Sequence, residues 1–158
     1  MIEFEQIGTI HSPYNDLEGM PIQPAGAVGV RGRVEVLPDY VDGLQDLDGF
    51  SHIILLYKFH RGSGFDLKVV PFLDSSPRGV FATRAPRRPN PIGMSVVRLE
   101  RIDGAVIDVL DIDVLNGTPL MDIKPYVPHF NSQDEVRTGW LGEKDSNVAV
   151  HRSDSRFR

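Results

Sequence analysis

The chain has 158 residues, 41% hydrophobic and 25% charged, with a formal net charge of −5. That is the size of one domain with a real core, and it excludes a chain-wide basic clamp for nucleic acid. The absence of cysteine excludes disulfides, thiolate nucleophiles and zinc–thiolate sites, and it is compatible with a reducing, cytoplasmic setting.

The start, Met1-Ile2-Glu3-Phe4-Glu5, is acidic and lacks the hydrophobic region of a secretory leader. Residues 5–10 form a first strand candidate, closed by His11-Ser12-Pro13-Tyr14. Residues 15–29, with two prolines and three glycines, read as loop. From 30 to 37 the pattern alternates, with Val30, Gly32, Val34 and Val36 on one face and Arg31, Arg33 and Glu35 on the other, which predicts a half-buried strand. Residues 38–48 have room for one short helix presenting Tyr40, Val41, Leu44 and Leu47. Residues 51–60 contain the longest apolar run, Ile53 to Tyr57. It is too short to span a membrane as a helix and predicts a central strand buried on both faces.

Stretches 67–72 and 79–83 are short strand candidates. Pro86, Pro89 and Pro91 make residues 84–93 a stiff extended loop rather than a helix or central strand. Strands are expected over 95–102 and 106–115. In the second, Val106, Asp108, Leu110, Ile112 and Val114 share one face, opposite Ile107, Val109, Asp111, Asp113 and Leu115. Residues 118–128 are extended, and from Asn131 onward the chain is polar, with Trp140-Leu141 its one strong apolar anchor. The expected architecture is all-β: a barrel domain over 1–130 with short helical and extended connections, then a partly ordered polar tail over 131–158. Helix-length segments and a Gly-x-Gly-x-x-Gly turn after a strand are both missing, which argues against a dinucleotide-binding α/β fold.

The average charge hides an asymmetry. Between Arg78 and Arg101 lie six arginines and one acid, a local +5, while the rest of the chain carries −10. Arginine outnumbers lysine 13 to 4, as suits bidentate anion contacts and stacking on bases. Arg98 and Arg101 are expected on exposed strand faces. Arg84, Arg87 and Arg88 sit instead in the proline loop, whose stiffness lowers the entropy lost in holding them to a ligand. The five histidines lack ligand spacing, so no metal site is expected; His52 and His60 alone would stand roughly 26 Å apart along one strand. Asp111 and Asp113 point the same way in the expected strand, so one of them is a candidate for a raised pKa.

Gly79-Val80-Phe81-Ala82-Thr83-Arg84, followed by Arg88-Pro89-Asn90-Pro91-Ile92-Gly93-Met94-Ser95, resembles the signature of the TsaA-like (TrmO) family. Ile7-Gly8-Thr9-Ile10-His11-Ser12-Pro13-Tyr14, Phe50-Ser51-His52, Gly117-Thr118-Pro119 and Asp122-Ile123-Lys124-Pro125-Tyr126 extend the resemblance across residues 5–128. The resemblance implies a single-sheet β-barrel, a homodimer and S-adenosylmethionine-dependent methyl transfer. The implied acceptor is N6 of threonylcarbamoyladenosine beside a tRNA anticodon. It assigns the methyl donor to Gln23, Pro24, His60, Arg61, Arg84, Met94, Leu110, Asp111, Ile112 and Asp113. Lys124 and Tyr126 fall in a motif expected near the acceptor base.

The chain departs from the family pattern at Ile22-Gln23-Pro24-Ala25, at Arg87 and at Asn116, and it ends after a short tail. In the implied chemistry Arg84 pairs with the donor carboxylate. Lys124 and Tyr126 stabilise or orient the acceptor, Asp111 or Asp113 is a weaker base candidate, and Arg87, Arg88 and Asn90 contact the RNA loop. Two other readings stand beside this one: a non-catalytic RNA- or nucleotide-binding barrel, and a methyltransferase acting on a small molecule.

Overall fold

A computed structural model describes residues 1–21, 26–72 and 74–142. Among these residues eight strands form in chain order: β1 (Gly8–His11), β2 (Arg31–Val36), β3 (His52–Lys58), β4 (Lys68–Val69), β5 (Arg78–Gly79), β6 (Ile92–Asp103), β7 (Val106–Leu110) and β8 (Thr118–Pro125). Six of them close an antiparallel barrel in the order β1-β2-β7-β6-β3-β8, while β4 and β5 pair as a separate ribbon. The all-β barrel expected from the alternating pattern is therefore the fold.

The pattern of β2 holds as read: Val34 and Val36 enter the core and the arginines face out. In β3, Ile53, Leu55 and Tyr57 point inward, where Ile10, Val97, Ile107, Val109 and Leu120 join them. Ile54 and Leu56 point outward and are only half-buried, so β3 is central in hydrogen bonding but is not covered on both faces within the chain. β6 is long enough to pair with β3 through its first half and β7 through its second. A register shift between Leu99 and Arg101 bends it across the two partners. It also starts at Ile92, so the stiff loop is shorter than expected and Gly93 belongs to the strand.

Three other expectations are revised. Residues 38–49 form two 3-10 turns, Pro38–Leu44 and Leu47–Gly49, because Asp46 takes a left-handed conformation (φ 68°) between them. Only the first residue of 79–83 is strand; Val80–Ala82 is a 3-10 turn. β7 stops at Leu110, because Asp111 also has a positive φ (71°). That kink breaks the alternation, and Ile112, read as sharing a face with Leu110, is buried in the core with Ile107 and Val109 from the other face.

The β4–β5 ribbon has its own small core of Val69, Val80 and Ala85, with Phe72 against it. The sequence's C-terminal anchor docks here. The Trp140 indole N–H donates to the Ala82 carbonyl at 2.8 Å, and the Arg78 guanidinium lies 5.5 Å from the indole ring centre. The rest of the expected tail, from residue 143, lies outside the described residues.

Candidate active site at one end of the barrel

The registers define two rims. His11, Arg31, Lys58, Ile92, Leu110 and Thr118 lie at one end of their strands, and Gly8, Val36, His52, Asp103, Val106 and Pro125 at the other. Most of the residues that the resemblance implies for the donor lie on segments that enter or leave the strands at the first rim. His60 and Arg61 follow β3, Met94 is the third residue of β6, and Leu110 to Asp113 run off β7. Arg84 stands in the loop that leads into β6. Gln23 and Pro24 lie outside the described residues.

The proline loop is braced from within. Thr83 Oγ1 donates to the Val80 carbonyl (2.8 Å) and accepts from the Ala85 N–H (3.2 Å). Arg88 Nη1 donates to the carbonyls of Thr83 and Ala85 at 3.0 and 3.2 Å. Pro91 accepts from the Phe59 N–H at 2.8 Å, tying the loop to the end of β3. Arg87 reaches Asp66 at 3.5 Å and links this loop to the preceding one, while its Nε is buried without a partner. Arg88 thus supports the backbone on either side of Arg84. Arg84 itself is exposed and has no hydrogen-bond or ion-pair partner among the described residues. Asn90 is exposed at the loop's tip. Replacing Arg88 with alanine is expected to speed proteolytic cleavage of this loop several-fold and to weaken any ligand held by Arg84, because both carbonyl contacts go together.

The two aspartates do not share a face. Asp111 is held by Arg98 in a two-point contact (Nε–Oδ2 2.6 Å, Nη2–Oδ1 3.1 Å) and accepts from the Gly29 N–H at 2.7 Å. The Arg98 hydrogen bond is the main cause that lowers its pKa, with Gly29 and the Arg98 charge adding to it. A carboxylate so engaged is held in its ionised form and makes a weak proton acceptor. Asp113 turns inward and accepts from Ser95 Oγ at 2.6 Å. Burial raises its carboxyl to about 6, against the opposing effect of the Ser95 hydrogen bond and of a backbone N–H. Among the described residues no cation forms an ion pair with it.

His60 follows a different logic. Thr118 Oγ1 donates its single hydrogen to the Leu115 carbonyl at 2.6 Å, so the His60 Nδ1 3.2 Å away must carry the hydrogen of that contact. His60 Nε2 is left as an acceptor. Partial burial, then the Arg61 charge, lowers the imidazole's pKa and favours this neutral form.

Lys124 and Tyr126 are not brought to this rim. The Tyr126 N–H donates to the His52 carbonyl (3.1 Å) at the opposite end, and its ring packs edge-on to the His52 imidazole. Lys124 pairs with Asp122 at 2.8 Å on the outer wall beside Ile54. From Thr118 to Lys124 the strand rises roughly 20 Å. Lys124 and Tyr126 thus stand apart from the residues that hold Asp113, on the outer face of β8 and just beyond its end.

Sequence reasoning missed Tyr57, Ser95 and Thr118. Each stands in an inward-facing series that is otherwise apolar, and a hydroxyl at such a position is the signal that marks them.

A "Probable S-adenosyl-L-methionine-binding protein" of Pyrococcus abyssi is 49% identical over 157 residues, covering 99% of this chain and 85% of that protein. The "tRNA (adenine(37)-N6)-methyltransferase" of Escherichia coli is 39% identical over 148 residues, covering 87% of this chain. The crystal structure of TrmO from Pseudomonas aeruginosa superposes with a TM-score of 0.74 at 39% identity over 89% of this chain. The chain spans 63% of the length of the Escherichia coli enzyme and 62% of the Pseudomonas aeruginosa structure. Residues 9–132 match the tRNA-methyltransferase O N-terminal domain, and the chain belongs to that family.

Proposed function

We propose that the chain is an S-adenosylmethionine-dependent tRNA methyltransferase acting on N6 of threonylcarbamoyladenosine beside the anticodon. The observation that supports this reading is that Arg84, His60 and Asp113 lie on segments that enter or leave the barrel at one rim, in a chain of this family. An unpartnered guanidinium, a neutral imidazole acceptor and an unpaired inward carboxylate suit a donor that carries a carboxylate, hydrogen-bond donors and positive charge. The bound donor supplies an electrophilic methyl group.

Arg84 holds the donor carboxylate, with Arg88 fixing the loop on both sides of it. Asp113 offers negative charge to the cationic part. The acceptor N6 is a poor nucleophile until its proton leaves, so the site needs an acceptor for that proton as well as in-line placement. His60 Nε2 meets the first need without prior deprotonation. Arg87 and Asn90 present hydrogen-bond donors to an unstacked loop base.

A homodimer fits the same reading. Ile54, Leu56, Val96 and Met94 form an apolar strip on the outer wall next to Lys124, and a second copy covering it would bring that copy's Lys124 and Tyr126 toward this site. No helix among the described residues is long and apolar enough to cross a membrane, and a tRNA substrate fits action in the cytoplasm.

The test is incubation of the full chain with tRNA and isotopically labelled methyl donor, followed by mass spectrometry of the nucleosides. One labelled methyl on threonylcarbamoyladenosine is expected. Donor binding without label in any nucleoside would overturn the tRNA assignment and favour a non-catalytic barrel or a small-molecule acceptor.

A further inference from the structure

Among the described residues two buried hydroxyls interrupt the apolar barrel interior, Thr118 beside His60 and Ser95 where β3 and β6 meet at the donor rim. There the Tyr57 hydroxyl lies 2.9 Å from Ser95 Oγ, and Ser95 Oγ donates to Asp113 Oδ1 at 2.6 Å. Ser95 has one hydrogen, given to the carboxylate, so Tyr57 must be the donor in its own contact. The chain therefore has one direction, from Tyr57 through Ser95 to Asp113. Burial, then the negative charge of Asp113, pushes the Tyr57 hydroxyl's pKa well up, which keeps it a donor at all physiological pH.

Gly93 makes the arrangement possible. It faces Tyr57 across the β3–β6 ladder, and a Cβ there would sit inside the tyrosine ring. The last residue of the apolar run, an inward serine and the glycine after the proline loop are thus one construction that ends on a carboxylate. A buried carboxylate with no cation opposite it is costly to fold, and two hydroxyls in series orient it without neutralising it.

We propose that Tyr57 and Ser95 are positioning residues of the donor site, holding the Asp113 carboxylate as an ionised acceptor for the positively charged part of the methyl donor. The inference rests on the methyltransferase reading above. The groups facing Asp113 are Tyr57 from β3 and Ser95 from β6. The nearby charges of Asp111 and Arg98 are paired with each other on the outer wall. Neither hydroxyl is asked to touch the reacting atoms.

The experiment measures S-adenosylmethionine binding by calorimetry between pH 5 and 8 for the parent, Ser95→Ala, Tyr57→Phe and Ser95→Thr. It is paired with carbon-13 NMR titration of the Asp113 carboxyl in donor-free protein. Ser95→Ala is expected to weaken donor binding about tenfold and to move the Asp113 midpoint upward. Tyr57→Phe should do the same with a loss of about threefold, and Ser95→Thr should restore both readouts.

A purely structural role would lower the melting temperature while leaving the Asp113 midpoint and the affinity of folded protein at parental values. That result overturns the proposal and leaves the methyltransferase reading intact. Absence of donor binding by the parent overturns both. Tyr57→Phe keeps the ring against Gly93, so it carries the test should Ser95→Ala unfold.

Discussion

Asp113→Asn is expected to melt a few degrees above the parent protein at pH 8, and to bind the methyl donor at least tenfold more weakly. Both effects follow from one buried charge. The carboxyl titrates near 3.8 when unfolded and near 6 in the fold, chiefly because burial disfavours its ionised form. The native state therefore holds this proton more tightly than the unfolded chain. The resulting stabilisation is complete below the unfolded pKa and is lost as pH rises through about 6. Above that, the ionised group disfavours folding by up to about 3 kcal/mol.

Asparagine keeps the acceptor for Ser95 and cannot ionise, but its amide hydrogens need partners. A net gain of about 1–2 kcal/mol is expected at pH 8, or roughly 3–6 °C for a domain of this size. The gain should vanish toward pH 4, where the parent carboxyl is also neutral. Thermal melts of both proteins at pH 4, 6 and 8 isolate the effect, since every other group titrates alike in the two chains. A stability difference independent of pH would mean that burial of this carboxylate is not what the substitution relieves. A residue that destabilises at working pH and is nonetheless present suits a site built for a cationic ligand.

The strands were legible because most of them obey a period of two against solvent on one side. Val34 and Val36 read as inward from β2 alone, and the turn residues bounded the rest. What escaped the pattern has local or long-range causes. Asp111 adopts a positive φ that nothing in its own alternation announces. From there onward Ile112 is buried and Asp111 and Asp113 face different partners. The spread of the site was invisible for another reason. Lys124 lies only six residues after Thr118, but in an extended strand that carries it along most of the barrel wall. A motif continuous in sequence is spread out in space when it lies along a strand. The arginine cluster shows the same limit. Composition placed Arg84, Arg87 and Arg88 in one anion-binding set. The folded loop uses Arg88 to hold its own carbonyls, ties Arg87 to Asp66, and leaves Arg84 open.

Gly93→Ala tests the packing side of this account, since the added methyl must displace the Tyr57 ring or separate β6 from β3. A loss of about 2–3 kcal/mol in denaturant unfolding is expected, at the upper end of overpacking costs. Tolerance of alanine within a few tenths of a kcal/mol would show that the ring has room to shift.

Arg84→Ala is expected to separate function from fold most sharply. Arg84 is exposed and has no partner among the described residues, so its removal should change stability by less than about 0.5 kcal/mol. Donor binding should nonetheless fall by roughly 10- to 100-fold, the range for losing a charge-assisted, two-point contact to a carboxylate. Arg84→Lys should recover only part of this, because an ammonium matches the charge but not the fork. A decarboxylated donor analogue sharpens the assignment. If Arg84 holds the carboxylate, the analogue should bind parent and Arg84→Ala alike, and the substitution should add nothing to the loss already caused by removing the carboxylate. Additive losses would mean that Arg84 acts on another part of the donor or through the shape of the loop. Arg88→Ala offers the contrast in the same assay. Its effect should extend to the analogue as well, since it loosens the backbone that carries the whole rim and not one charge pair.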